Sequence, residues 1–493
     1  MVNENVAYIL QDSVEQELEI AESPVKYCSV ALSEVIEKGK RLEASVFDVE
    51  AKRVREIVEA CIFSAVALGG SNGLIQHAYY PGRFKRVYCE KGNGVPFYLP
   101  SQITDIYPKP DKFISALTKC DIAELRLHSK ELLLTRSGTV GTVSMVSKTT
   151  EGRVFSDDVI RVSFKNDIDL GYVYAYLKSS TGNIILTTNQ YGSVITHIEP
   201  EHLATVPIPD APAEIKKRIN DLIVRSYKLR DESNDLIDEA TAMLKKELHF
   251  PAIENLDVSF YKNNVNVETF NVKLSNMAGR VDASYHVPIV EAIVKHMKEY
   301  TSEVTTVGDN RISKEIILPG RFKRVYVEEG YGRIFIGGKQ LFELDPTNKK
   351  YLSLVHHGNR IAKQLELHEG MTLITCSGTI GKVALVGKRW ENWTANQHII
   401  RVVPADQDIA GYLNIFLSSE YGYPLITRFT YGSVVDEIDD IHVSNIPFPL
   451  LKNIDVQRRI NDLALEASEK RDEAYKLEQQ ALQIMDSEVI FAK

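Results

Sequence analysis

The chain reads as an α+β protein built from one unit used twice, and three observations predict this. PGRFKRVY at 81–88 recurs letter for letter at 319–326. Each copy opens a long stretch of short β-type runs punctuated by glycine and proline, the pattern of a twisted or barrel-like sheet. Each stretch then ends in an uninterrupted segment whose apolar or small residues alternate at spacings of four and three, the mark of a long helix with a seam.

The repeat extends through the whole unit. RSGTVGTVSMV at 136–146 answers CSGTIGKVALV at 376–386, and DVIRV at 158–162 answers HIIRV at 398–402. YGSV at 191–194 returns at 431–434, VPIP at 206–209 as IPFP at 446–449, and RINDL at 218–222 at 459–463. The offset drifts only from 238 to 241, far too long a period for a solenoid or propeller. Two tandem pseudo-symmetric units follow, over 25–210 and 265–450, with long helices over 211–255 and 451–493.

In chain order, residues 1–24 are acidic, have no counterpart and read as an N-terminal extension. The first unit begins near 32–47, which aligns with 274–286; a helix is predicted around 46–60 and again around 288–299, after Pro288 at a first helical turn. RVYCE, VPFYL, ELLLT, GTVSMV and VIRVSF are the strands of the first unit, and FKRVYVE, RIFIG, TLITC, KVALV and HIIRVV those of the second. Residues 171–180 and 411–420 predict a short amphipathic helix near the end of each unit.

The first long helix carries Ile215, Ile219, Leu222, Ser226, Leu229, Ser233, Leu236, Ala240 and Met243 on one seam. The second carries Val456, Ile460, Leu463, Ala467, Lys470, Ala474, Leu477, Ala481 and Ile484, the same register shifted by 241. Matched register and length favour the two helices pairing with each other over each packing on its own unit. Polar seam residues such as Ser226, Ser233 and Lys470 would fix that register at some cost in stability. A helix of ~35 residues runs about 50 Å.

Composition sets bounds. The 493 residues are 25% charged and 44% hydrophobic, ordinary for a globular chain. No run is long and apolar enough for a membrane helix, so no membrane partner is expected. Cys28, Cys61, Cys89, Cys120 and Cys376 are odd in number, scattered and without metal-ligand spacing, as in a reduced, cytoplasmic protein. The net charge of −9 is concentrated at one end: eleven acids against four bases in 1–50 give −7, leaving −2 for the rest. Charge acts within a Debye length of ~8–10 Å, so the near-neutral body is free to present a basic surface.

RFKR supplies Arg83, Lys85 and Arg86, repeated as Arg321, Lys323 and Arg324, with Phe84 and Phe322 between them. In a strand, alternation would put bases on one face for phosphate contact; a solvated edge is the structural alternative. Residues identical in both units cannot make the two units read different things, so they suit framework or backbone contacts. Discriminating residues belong where the units diverge, chiefly 104–130 against 342–369. Lys109, Lys112 and Arg126 stand there in the first unit, and Lys349, Asn359 and Arg360 in the second. Arginine suits guanine and asparagine suits adenine in a major groove.

The glycines of SGTVG and SGTIG predict tight hairpins needing positive φ, with close backbone approach to a phosphate as the functional alternative. Tyr191 and Tyr431 in YGSV are candidates either for nucleic-acid contact or for aromatic packing under a glycine turn. Enzyme signatures are missing from the sequence. There is no Asn/Asp-Pro-Pro-aromatic tetrad of an amino-methyltransferase and no phosphate-binding glycine fingerprint; GTIGK has Cys376 where the first glycine of such a loop should stand. Asp157 and Asp158 are replaced by Gln397 and His398 in the second unit, which argues against a metal-dependent nuclease core in both. His356 and His357 have no ligand set nearby, so neither a catalytic residue nor a metal site is assigned.

RFKRVY…GVPF, SGTVG/SGTIG, DVIRV/HIIRV, YGSV…IP.P and the helix opened by RINDL, in this order over 30–493, resemble the specificity subunit of a type I restriction-modification enzyme. The resemblance implies two target-recognition domains separated by two long antiparallel coiled-coil helices. Each domain would read one half of a bipartite, asymmetric site in double-stranded DNA. The helices would set the spacing and dock two DNA adenine methyltransferase subunits, with restriction or translocase subunits where the system cuts. S-adenosylmethionine and ATP would belong to those partners, with no cofactor bound by this chain. A related methylation-based phage-defence complex, a protein–protein scaffold without DNA contact and an autonomous hydrolase remain alternatives. The acidic leader has no place in the family's compact pattern.

Overall fold

The computed structural model describes residues 29–37, 40, 47–188, 196–256, 258, 270–277, 279–346, 348–432 and 434–492. The acidic stretch 1–24 and Tyr191 lie outside these residues.

In the N-terminal half a short helix over Leu32–Glu37 precedes α1 (Val49–Glu59), which is capped by Asp48, whose carboxylate accepts from the Glu50 and Ala51 amides. Its strands are β1 (Ala65–Ala67), β2 (Ile75–Tyr79), β3 (Gly94–Tyr98), β4 (Lys112–Ser115), β5 (Leu132–Thr135), β6 (Val143–Met145), β7 (Val154–Phe155), β8 (Val159–Phe164) and β9 (Pro207–Pro209). They form a four-stranded sheet ordered β2-β8-β5-β6, a three-stranded sheet β4-β3-β7 and the pair β1-β9. Helix α2 (Asp167–Lys178) follows β8, and α3 (Ala213–Glu247) closes the half.

The C-terminal half repeats this arrangement. After α4 (Pro288–Tyr300) come β10 (Thr301–Thr306), β11 (Ser313–Ile317), β12 (Tyr326–Val327), β13 (Gly332–Ile336), β14 (Lys350–Ser353), β15 (Thr372–Thr375), β16 (Val383–Leu385), β17 (Thr394–Ala395), β18 (Ile399–Pro404) and β19 (Pro447–Leu451). The sheets are β11-β18-β15-β16, β12-β14-β13-β17 and β10-β19. Register repeats too: Leu133 opposes Arg161 on β5 and β8, and Leu373 opposes Arg401 on β15 and β18. One difference is α5 (Leu354–Arg360), a short helix after β14 that lies in the divergent stretch. Helices α6 (Gln407–Ser418) and α7 (Ile454–Ile484) complete the half.

The helices predicted to be amphipathic at 171–180 and 411–420 are instead buried all round: residues Asp169 to Leu177 on α2 and Ile409 to Leu417 on α6 are inaccessible. Each is sandwiched between its sheet and a long helix, so no face meets water. Gly171 and Gly411 permit the close approach. A Cβ on either would fall 2.7 Å from the Asn220 Cα or 2.3 Å from the Asn461 carbonyl oxygen. The asparagine of each RINDL then accepts from that glycine's amide, at 3.0 Å in the first half and 2.8 Å in the second.

Helices α3 and α7 pack antiparallel along much of their length. Ser226 Oγ donates to the Ala474 carbonyl at 2.8 Å, Lys470 pairs with Glu232 at 3.0 Å and Arg218 pairs with Glu488 at 2.8 Å. The buried surface is wider than a two-position seam. Besides Ile219, Ser226, Leu229, Ser233 and Ala240, α3 buries Asn220, Tyr227, Asp231 and Asn234. That second stripe docks the helix on a head while the first docks it on its partner. Asp231 accepts from Ser147 Oγ and the Lys148 and Thr149 amides, and Asp472 likewise from the Lys388 and Arg389 amides.

Each rod belongs to both cores. Ile219 and Ile223, near the start of α3, lie in the N-terminal core, whereas Ala240 and Leu244 near its end lie in the C-terminal one. Helix α7 does the reverse, with Ile460 and Leu463 in the C-terminal core and Ala481 and Ile484 in the N-terminal one.

A buried charge cluster sits where the rods and both halves meet. Glu478 on α7 is fully buried; it accepts from Arg230 on α3 and from Lys178 at the end of α2, and Tyr174 donates to it at 3.1 Å. The two cations beside it hold its carboxyl below the usual range against the opposing effect of burial. Removing one partner of a buried pair strands the others' charge, which typically costs about 3–5 kcal/mol. Glu478→Gln should lower the stability of the full chain by that order in urea denaturation, more than the exposed-pair control Glu488→Gln.

Candidate nucleic-acid interface

In each half the recurring motifs converge on one edge. β5 and β6 are joined by the SGTVG turn, and β15 and β16 by SGTIG; φ is positive at Gly138 (79°), Gly141 (85°), Gly378 (75°) and Gly381 (82°). Beside the turns lie the RFKR stretches, the 157–158 and 397–398 pairs ahead of β8 and β18, and the returning loops through His197 and Glu437. Ser137 bridges to His197, and Ser377 to Glu437, in the same antiparallel manner.

RFKR joins no sheet in either half, so no strand forms over 81–86. Exposure nonetheless alternates. Arg83 and Lys85, and Arg321 and Lys323, face solvent, whereas Phe84, Arg86, Phe322 and Arg324 turn inward. The inward arginines lie on the same ring: Arg86 sits 5.6 Å over Phe97 and Arg324 5.6 Å over Phe335. Arg86 is ion-paired with Asp157 at 2.5 Å and Asp158 at 3.6 Å. Arg321 pairs with Glu437 at 2.8 Å on the surface.

The other sequence-predicted residues separate into two groups. Lys112, Arg126, Asn359 and Tyr431 are exposed in divergent segments or on the motif edge, although Arg126 also donates to the Gly152 carbonyl at 2.6 Å and Lys112 lies over the Tyr88 ring. Lys109, Lys349 and Arg360 are engaged by the fold. Lys109 Nζ reaches the Ser418 carbonyl of the other half at 3.4 Å. Lys349 pairs with Asp345 at 2.5 Å, and Arg360 lies over Phe322 and donates to the Gly320 carbonyl at 3.2 Å, bracing the PGRF stretch. Lys109 ties one half to the other, Lys349 is held within its own half, and Arg360 braces the basic stretch.

Three features of the site were not anticipated from the sequence. The arginine of DVIRV and of HIIRV is wholly buried without a carboxylate. Arg161 donates to the Val159, Leu125 and Phe155 carbonyls, and Arg401 to those of Asn396, Ile399, Leu365 and Ala395. Burial draws Arg401 down to about 9. Each arginine ties the two sheets of its half together; an arginine at one place in two otherwise apolar strands was the available signal. Second, Ser137 Oγ donates to Asp158 at 3.0 Å and lies 2.8 Å from His197 Nδ1. A nucleophilic triad needs the carboxylate on the far side of the histidine, so this chain of contacts is an ordering network.

The third is the junction itself. The halves meet at a local two-fold: Asp105 pairs with Glu343, its repeat equivalent, and the Ile106 amide donates to the Phe342 carbonyl at 2.8 Å. Around this junction opens a cleft of about 1040 Å³ bordered by both SGT turns, through Ser137 and Thr139 from one half and Ser377, Gly378 and Thr379 from the other. Lys339, Lys350, Lys382 and His398 line it together with Asp105, Asp111 and Glu343, so its walls are mixed in charge. Burial pushes Asp105 and Glu343 up to about 7 each, which reduces the negative contribution near neutral pH. Among the described residues no group of three or more metal-ligating side chains occurs, and no helix is long and apolar enough to cross a membrane.

No protein-family model and no curated protein matches this chain. Among solved structures it is similar to the S subunit of a type I restriction-modification system from M. genitalium, at 13% identity over 85% of this chain and 97% of that one, with a TM-score of 0.30. It is similar to the HsdS subunit from Thermoanaerobacter tengcongensis at 13% identity over 85% and 98%, TM-score 0.27. A third similar chain comes from a structure described as the basis of complex assembly and conformational transition of the type I R-M system, at 14% identity over 84% and 97%, TM-score 0.27. At TM-scores of this size the likeness carries no argument about what this chain does.

Because Asp105 and Glu343 bind protons more tightly folded than unfolded, the junction is most stable with both protonated and weakens as pH rises from the free carboxylate range, near ~4, through about 7. Melting of the full chain should therefore come at a lower temperature at pH 8 than at pH 6. The double variant D105N/E343Q should narrow that difference; an unchanged gap would place the titrating groups elsewhere.

Proposed function

We propose that this chain is a non-catalytic DNA-recognition subunit. Within that class it is the specificity subunit of a type I restriction-modification assembly, with two target-recognition domains spaced by an antiparallel coiled coil. One observation carries the reading: the two SGT turns border a common cleft, each in a half that also turns the outer bases of its RFKR to solvent, in a body whose halves share both long helices. Two pseudo-symmetric readers at fixed separation suit a split site, by the logic that relates dimer symmetry to half-site spacing in simpler DNA-binding proteins.

Roles follow from placement. Arg83, Lys85, Arg321 and Lys323 are solvent-facing and common to both halves, and serve the DNA backbone. Lys112, Arg126, Asn359 and the rest of the divergent segments discriminate bases. Methylation requires the target base to leave the stack, so this chain places two methyltransferase subunits and leaves chemistry, S-adenosylmethionine and ATP to its partners. Restriction or translocase subunits join where the system cuts.

The test is to express the chain with the subunits encoded beside it and map methylated bases. A bipartite motif is expected, and exchanging 60–210 for another recognition domain should change one half-site only. A change in both halves, or in neither, would refute the division of labour.

A further inference from the structure

The internal repeat supplies its own control for the inward arginine of RFKR. Arg86 and Arg324 occupy equivalent positions, each 5.6 Å over the matching phenylalanine. In the N-terminal half the guanidinium is occupied by the protein's own carboxylate: Asp157, side chain 4% exposed, accepts at 2.5 Å, and Ser156 Oγ accepts at 3.1 Å. In the C-terminal half Gln397 and His398 stand in place of Asp157 and Asp158. Among the described residues Arg324 makes no hydrogen bond or ion pair, and Gln397, about nine-tenths buried, has an Oε1 without a partner. The buried Nε is unpaired in both arginines, so the difference lies at the outer guanidinium nitrogens.

The surroundings favour an anion. His398 is held below its usual range by burial and by the nearby positive charges of Arg324 and Arg321. The acid facing this group is Glu437, whose pair with Arg321 is on the surface, with Arg321 78% exposed. An exposed pair of this kind contributes about 0–1 kcal/mol and exchanges readily for another anion. Asp157, by contrast, is buried and cannot yield Arg86 without stranding its own charge.

We infer that Arg324 seats a backbone phosphate of DNA, whereas the N-terminal half fills the equivalent seat with Asp157. The inference rests on the DNA-recognition reading and adds that the halves are electrostatically unequal. The N-terminal half contacts the backbone through its outer bases, and the C-terminal half through its outer bases and the inner arginine.

The experiment is a salt titration of duplex binding by the full chain in its co-purified assembly, between about 50 and 200 mM salt, on a duplex with the mapped site and on an unrelated duplex of equal length. R324Q should weaken both duplexes by a similar factor, about tenfold, and lower the salt slope by about one. Q397D, which retains Arg324 but gives it an internal carboxylate, should do the same. D157Q, which removes the close partner of Arg86 and leaves it only Asp158 at 3.6 Å, should raise the slope. Melting curves identify any variant that fails to fold, and R324Q and Q397D test the same seat independently. Unchanged slopes in both, with wild-type DNA binding intact, overturn the inference alone. Loss of binding to the mapped site only would make Arg324 a base contact and also overturn it, as would loss of a protein subunit with the DNA slope unaltered. An assembly that binds neither duplex overturns the DNA reading together with it.

Discussion

The structure depends on two helices each being part of two cores. Had α3 packed only on the N-terminal half and α7 only on the C-terminal half, the connection would be a hinge around the segment after Glu247. Instead α3 starts among Ile219 and Ile223 in one core and ends with Ala240 and Leu244 in the other, and α7 returns the favour in the opposite direction. Separating the halves would expose apolar surface at both ends of both helices, at roughly 25 cal/mol per Å². That is a stronger constraint than the hydrogen bonds and ion pairs along the seam, several of which are exposed and worth little.

The charge cluster around Glu478 is where the two-fold is broken most deeply. Arg230 has a repeat equivalent in Arg471, yet Glu478 corresponds to Ile237 and Lys178 to Ser418. Arg471 accordingly finds neutral partners, Ser233 Oγ at 3.1 Å and Asn234 Oδ1 at 3.3 Å. A buried ionic cluster is not a cheap source of stability, since desolvation offsets most of the attraction. What it does impose is a unique alignment, because any slip of one rod past the other leaves a carboxylate or two cations buried alone.

The same economy runs through the candidate interface. Residues common to both halves divide into those that shape the edge and those that face outward. The glycines of the SGT turns, Arg161 and Arg401, and the inward side of RFKR shape it; Arg83, Lys85, Arg321 and Lys323 face outward. A thin solvent-facing layer is then carried on an over-determined scaffold, and such a layer is where loops tolerate sequence change. Helix α5, present in one half only, lies in that layer.

Much of this was legible in the residues alone. An exact phrase repeated at a near-constant offset can only mean a repeated unit, and its strands, the positive-φ glycines and the two long helices follow from periodicity and turn chemistry, which are local. What tertiary structure decided is where each polar group spends its charge. Lys109 and Arg86 look like any other surface base in a string of letters, but their partners Ser418 and Asp157 are brought to them by folding. The helices at 171–180 and 411–420 had a helical pattern but no visible reason to be buried all round, because the second covering layer, α3 or α7, comes from far along the chain. Periodicity records which face of an element is apolar; which distant group occupies a donor or acceptor depends on the three-dimensional meeting of segments, and that is absent from any local pattern.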